Sequence, residues 1–99
     1  MTALLLAPEL AEDFARIAAH LQTHDVADVD ARLVDIVDAL PVLRMHPLIG
    51  RLTEGGWREL VIGKGTRGYV ALYAYDALGD AVSVTALRGQ REAGYREGL

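Results

Sequence analysis

The stretch that decides the fold runs from Trp57 to Leu87. It opens with Trp57-Arg58-Glu59-Leu60-Val61-Ile62, followed by Gly63-Lys64-Gly65-Thr66-Arg67-Gly68 and Tyr69-Val70-Ala71-Leu72-Tyr73-Ala74-Tyr75. It closes with Asp76-Ala77-Leu78-Gly79-Asp80 and Ala81-Val82-Ser83-Val84-Thr85-Ala86-Leu87. Three runs rich in β-branched and aromatic residues are thus separated by two turns marked by glycine and aspartate. Connections this short predict an antiparallel meander. Alternation places Tyr69, Ala71, Tyr73 and Tyr75 on one face of the middle strand and Val70, Leu72 and Ala74 on the other. Gly63-Lys64-Gly65-Thr66 has the glycines of a phosphate loop, but it joins two strands and does not open a helix, so it reads as a hairpin turn.

Upstream of the meander the period changes. Leu10, Phe14, Ile17, Ala18 and Leu21 share a helical face. Pro8 at the first helical position and the acids Glu9, Glu12 and Asp13 suit a helix start, with the end near His24. Asp25 is placed to cap a second helix whose apolar stripe is Val26, Val29, Leu33, Ile36, Val37 and Leu40, and Pro41 stops it. So short a link predicts an antiparallel helical hairpin. Met1–Ala7 reads as a buried strand, because it lacks both the basic leader of a secretory signal and the length of a membrane span. Residues 41–56, with two prolines and three glycines, show no clear period and read as a long connection. The expected architecture is α+β: an N-terminal strand, a two-helix antiparallel hairpin and a three-stranded antiparallel meander, in one domain over residues 1–99.

Composition narrows the chemistry. The chain has 99 residues, 52% of them hydrophobic and 24% charged, as in an ordinary globular domain with a single core. No Cys is present, which excludes a thiol nucleophile, a disulfide or a Cys-ligated metal and suits a reducing cytoplasm. Net charge is −4, with eight acids against two arginines in residues 1–43 and eight bases against six acids in residues 44–99. That overall sign is a poor start for a general nucleic-acid binder. His20 and His24 have the spacing of one helical face, yet no third ligand accompanies them, so neither a metal nor another cofactor is expected. There is no Ser-His-Asp order, and Asp28, Asp35 and Asp38 fall on the solvent side of a helix.

One resemblance covers nearly the whole chain. Arg58-Glu59-Leu60-Val61-Ile62, Gly68-Tyr69-Val70-Ala71-Leu72-Tyr73 and Leu87-Arg88-Gly89-Gln90-Arg91-Glu92-Ala93-Gly94-Tyr95 are similar in order and spacing to the last strands and C-terminal segment of the RelE/ParE superfamily of toxins, from type II toxin–antitoxin systems. Ala7-Pro8-Glu9-Leu10-Ala11-Glu12-Asp13-Phe14 resembles the family's first strand and helix start. The resemblance implies a cytoplasmic toxin that arrests growth or stabilises a plasmid. It also implies neutralisation by a cognate antitoxin whose C-terminal segment wraps the helical hairpin and the sheet edge. A homodimer or a toxin–antitoxin hetero-oligomer is the assembly it suggests, with no membrane association.

The superfamily divides into RelE-like nucleases, which cut messenger RNA on the ribosome, and ParE-like inhibitors of DNA gyrase. Nuclease members carry cations where this chain has Val61, Gly63 and Val70, and an Arg or His where it has Gly89. Tyr95 matches the family's C-terminal Tyr. Each acid–base or cationic group commonly contributes 10²–10⁴-fold to such a reaction. The expected activity is therefore ParE-like binding of DNA gyrase, with Arg58, Lys64, Arg67, Arg88, Arg91 and Tyr95 forming the polar surface for gyrase or antitoxin. The alternatives are a ribosome-dependent endoribonuclease using Lys64, Arg67, Arg88, Arg91 and Tyr95, and a degenerate family member that folds without harming the cell.

Overall fold

A computed structural model describes residues 2–24, 26–63 and 68–96. Strand β1 (Ala3–Leu6) leads into helices α1 (Leu10–Thr23) and α2 (Val29–Ala39) and a one-turn helix α3 (Val42–Met45). Strand β2 (Arg51–Leu52) and a 3-10 turn (Glu54–Gly56) follow, then β3 (Arg58–Ile62), β4 (Tyr69–Asp76) and β5 (Ala81–Gly89). The sheet has five strands in the order β1-β5-β4-β3-β2. All neighbours are antiparallel except β1 and β5, which run parallel with Ala3 opposite Ala81 and Leu6 opposite Val84. The α+β architecture and the meander agree with the sequence reading, and the parallel pairing completes them.

Several local expectations are corrected: the N-terminal strand, read as buried, lies at the sheet edge and exposes Leu5 and Leu6. Helix α1 begins at Leu10, because Pro8 lies in a tight entry turn in which the Leu10, Ala11 and Glu12 amides donate to the Ala7, Pro8 and Glu9 carbonyls. Helix α2 begins at Val29, after Asp28 takes a left-handed conformation (φ 56°) that a short polar residue tolerates. Asp25, the expected cap, lies outside the described residues. Val37, assigned to the apolar stripe, is 44% exposed, while Ile36 and Leu40 carry the burial. The stretch after Pro41 is not a bare connection, since it holds α3, β2 and the 3-10 turn. Leu43 of α3 is fully buried.

The helices cover one face of the sheet. Leu10, Ile17 and Leu21 of α1, Ile36 of α2, Leu40 and Leu43 pack on Ile62, Ala71, Tyr73, Val82, Val84 and Leu87. Tyr69 and Tyr75 also pack against this core, so the alternation read along β4 holds. Tyr73 is completely buried, and its hydroxyl accepts a 2.8 Å bond from the Gly50 amide. A β carbon on Gly50 would come within 2.6 Å of the Tyr73 ring, so only glycine allows the connection to pass there. Arg58 braces the same passage by donating to the Leu48 and Gly50 carbonyls.

Strand β5 carries a bulge. Leu72 faces Ala86 while Tyr73 faces Val84, which leaves Thr85 unpaired and reverses the alternation beyond it. Val82, Val84 and Leu87 consequently all face the core, whereas Ala86 and Arg88 face away from the helices. Past Val84 strand β5 also loses its partner β1. Side chains take over the backbone groups on that edge. Asp13 Oδ2 accepts from the Leu87 amide at 3.0 Å, and Arg16 donates to the Leu87 carbonyl at 2.8 Å. Arg96 donates to the Thr85 carbonyl at 2.8 Å, and Glu92 accepts from the Gly89 amide at 2.8 Å. Asp13 is fully buried and is paired with both Arg16 and Arg96.

Removing a buried charge partner typically costs about 3–5 kcal/mol, because the remaining groups stay buried and unpaired. Asp13→Ala is expected to lower unfolding stability by about that amount in urea titrations. Glu12→Ala, which removes only an exposed contact to Arg96 at 3.9 Å, should fall within about 0.5 kcal/mol of the parent. Equal effects would mean that Asp13 is not the group holding the β5 edge.

Candidate functional site

The face of the sheet turned away from the helices carries two cross-strand rows. Arg51, Glu59, Leu72 and Ala86 form one, and Val61, Val70 and Arg88 form the next. Position 59 alternates with Arg58 and Leu60, so Glu59 shares this face with Val61. Although it lies away from the helices, Glu59 is only 7% exposed, and Val70, Leu72 and Ala86 are buried as well. The segment after β5 provides the cover. It turns at Gly89, where the Gln90 amide donates to the Gly68 carbonyl, and returns to place Tyr95 over the face.

Three donors converge on the Glu59 carboxylate. Arg51 reaches Oε1 at 2.5 Å, while the Tyr95 hydroxyl donates to Oε2 at 2.5 Å. Arg88 Nη2 stands 3.6 Å from Oε2, and its guanidinium lies 5.1 Å from the centre of the Tyr95 ring. The other terminal nitrogen of Arg88 is held by the carbonyls of Gly89, Gln90 and Glu92. Burial acts to raise the Glu59 carboxyl, but the bonds from Tyr95 and Arg51 and the charges of Arg51 and Arg88 outweigh it and hold the group below its ordinary range. Burial, then the bond to Glu59 and its charge, push the Tyr95 phenol well above its usual value. Glu59 is therefore a paired anion and Tyr95 a neutral donor at neutral pH.

The residues singled out from sequence separate in space. Arg88 and Tyr95 belong to this cluster. Arg58 pairs with Tyr73 across the strands on the helix-facing side and braces the Leu48–Gly50 passage. Arg91 is exposed and lines a cleft at the α1–α2 corner with His20, His24, Arg32 and Tyr69. Lys64 and Arg67 lie outside the described residues. Sequence reasoning missed Glu59 and Arg51 as members of the site. The available signal was one acid, Glu59, on a face otherwise made by Val61, Val70 and Leu72. The His20 and His24 ring centres lie 4.3 Å apart with the planes tilted by 39°, and the His24 ring bonds the His20 carbonyl.

No family model matches the sequence, and no curated protein matches it. Among solved structures, the fold is similar to a chain of the chromosomal ParDE TA system from P. aeruginosa, with a TM-score of 0.73 and 19% identity. The alignment covers 90% of this chain and 96% of that one. The likeness establishes a shared fold over nearly the full length of both. Among the described residues no helix is long and apolar enough to cross a membrane.

The depressed Glu59 carboxyl ties stability to acid. A folded-state value below the unfolded one stabilises the protein above the unfolded value, near 4.5, and that contribution is lost as pH falls through the folded value. Tyr95→Phe removes one bond that holds the carboxyl down, so the folded value moves toward the unfolded one: the variant should lose less stability than the parent as pH falls from about 7 to 3, and its loss should level off at a higher pH. Urea midpoints measured between about pH 3 and 7 read this directly. Coincident acid limbs would show that Tyr95 does not control Glu59.

Proposed function

We propose that the chain is the toxin component of a type II toxin–antitoxin system and that it acts in the ParE manner, by binding DNA gyrase. The fold shared with the ParDE chain supports the first part of this reading, together with the sequence resemblance to RelE/ParE toxins. One observation carries the second part: the cations of the exposed sheet face are directed at Glu59. A ribonuclease needs cations aimed at a scissile phosphate and acid–base groups that titrate near the working pH. Here Glu59 and Tyr95 are displaced in opposite directions from neutrality, and Arg51 and Arg88 face a carboxylate. Beside Arg88, where nuclease relatives place cations, the row continues as Val70 and the half-exposed Val61. In that row Val61 offers an apolar contact and no further cation stands beside Arg88, which suits a protein partner better than a phosphate backbone.

A cognate antitoxin is the second partner of this reading. Strand β1 is an edge of the sheet, hydrogen-bonded on one side only, and it exposes Leu5 and Leu6. Val34 and Val37 of α2 are exposed too. An extended segment adding beside β1 would satisfy the open backbone edge and cover apolar side chains. Growth arrest, and plasmid stabilisation where the genes lie on a plasmid, follow when that pairing is lost.

Purified protein is expected to abolish DNA supercoiling by gyrase while leaving messenger RNA on ribosomes intact. Cleaved messenger with active gyrase would replace this reading by the endoribonuclease one. Neither effect, without growth arrest on expression, would identify a degenerate toxin.

A further inference from the structure

We propose that Glu59 is the residue that denies the sheet face to nucleic acid, its carboxylate occupying from within the chain the place that a phosphodiester of single-stranded RNA would take against Arg51, Arg88 and Tyr95. The inference deepens the reading above and rests on it, since it names the residue that separates a protein-binding face from an RNA-binding one.

The donor set is the first argument. Two guanidinium groups and a phenol directed at one pair of oxygens form an arrangement that suits carboxylate and phosphate alike. Arg51 takes one oxygen of Glu59, the Tyr95 hydroxyl takes the other, and Arg88 stands 3.6 Å from that second oxygen, so the internal anion is paired with both cations of the cluster. The second argument is that these donors are not held in place by Glu59 alone. Arg88 is fixed by the carbonyls of Gly89, Gln90 and Glu92 and stacks on Tyr95, so its cation stays on the face when the carboxylate is gone. Arg51 is largely exposed and free to follow a ligand. The third argument is charge. In a chain of net charge −4, the cluster would carry two positive charges without Glu59 and carries one with it. Glu59 thus removes both charge and donors at one point of the surface.

The test compares Glu59→Gln with the parent for binding of a fluorescein-labelled single-stranded RNA oligonucleotide, followed by anisotropy across a salt series. The variant should bind about tenfold tighter or better at low salt, with a salt dependence steeper by roughly 0.7 per phosphate held, or about 1.4 when both arginines engage. Adding Arg88→Ala to the variant should cancel the gain. Glu59→Met, whose side chain can pack on Leu72 in the same cross-strand row, provides a second route to the same measurement. The proposal is overturned by unchanged affinity, by a gain that survives Arg88→Ala, or by parental protein that already binds as tightly as the variant. It is also overturned if neither variant folds cooperatively, because Glu59 would then be a structural prop. The gyrase assay is independent: its failure would remove the gyrase reading while the RNA comparison still decides the role of Glu59.

Discussion

The structure depends on how the outer half of strand β5 satisfies its backbone. Over Ala81–Val84 the strand lies between β1 and β4, and the ladder is complete on both sides. Beyond the bulge at Thr85 no strand among the described residues lies on the β1 side, yet Ala86 and Leu87 remain fully buried. Buried amides and carbonyls without partners are strongly destabilising, so each must find one. Asp13, Arg16, Arg96 and Glu92 supply those partners, and a charged cluster stands where another protein would place a strand. Helix α1 is thereby fixed to the sheet by polar contacts as well as by Leu10, Ile17 and Leu21.

The same bulge determines the exposed face. With unbroken alternation, Arg88 would share a side with Val82 and Val84 and point into the core. The extra residue at Thr85 reverses the parity and delivers Arg88 to the side of Glu59. A local backbone irregularity in β5 thus has two effects: it keeps Leu87 in the core, and it gathers the charged cluster on the other side. The carbonyl of the bulged residue is the one that Arg96 takes, so the irregularity and the C-terminal segment support each other.

The elements that were legible from sequence were those whose signals are local. The turns at Gly63–Gly68 and Asp76–Asp80 and the alternation along β4 fixed the meander, and the helical period identified α1 and most of α2. What was not legible depends on distant partners. The parallel pairing of β1 with β5 joins residues far apart in the chain, and nothing in either strand alone requires it. From sequence Asp13 reads as a first-turn acid attracted to the helix N-terminus, although it stands three residues after Leu10 and four before Ile17, on the buried side. An acid at that spacing is itself a sign of a buried partner, but the partner is a backbone amide 74 residues away. Glu59 was hidden for a similar reason, since its burial is created by Tyr95, 36 residues later.

Tyr95 and Arg96 bring these threads together. As neighbours in the chain they reach different sides of β5: Tyr95 goes to Glu59 on the open face, and Arg96 goes to Asp13 and Thr85 at the edge. The C-terminal segment therefore wraps the stretch of β5 that β1 leaves uncovered. An unpaired edge invites pairing with another chain unless charge or a covering segment blocks it. Here charge and cover act together on β5, while beside β1 Arg44 donates to the Thr2 carbonyl and Leu5 and Leu6 stay exposed. The contrast locates the two kinds of surface. The β5 edge is closed by its own chain, and the open face is closed to phosphate by Glu59. At the β1 edge Leu5 and Leu6 stay exposed, as Val34 and Val37 do on α2.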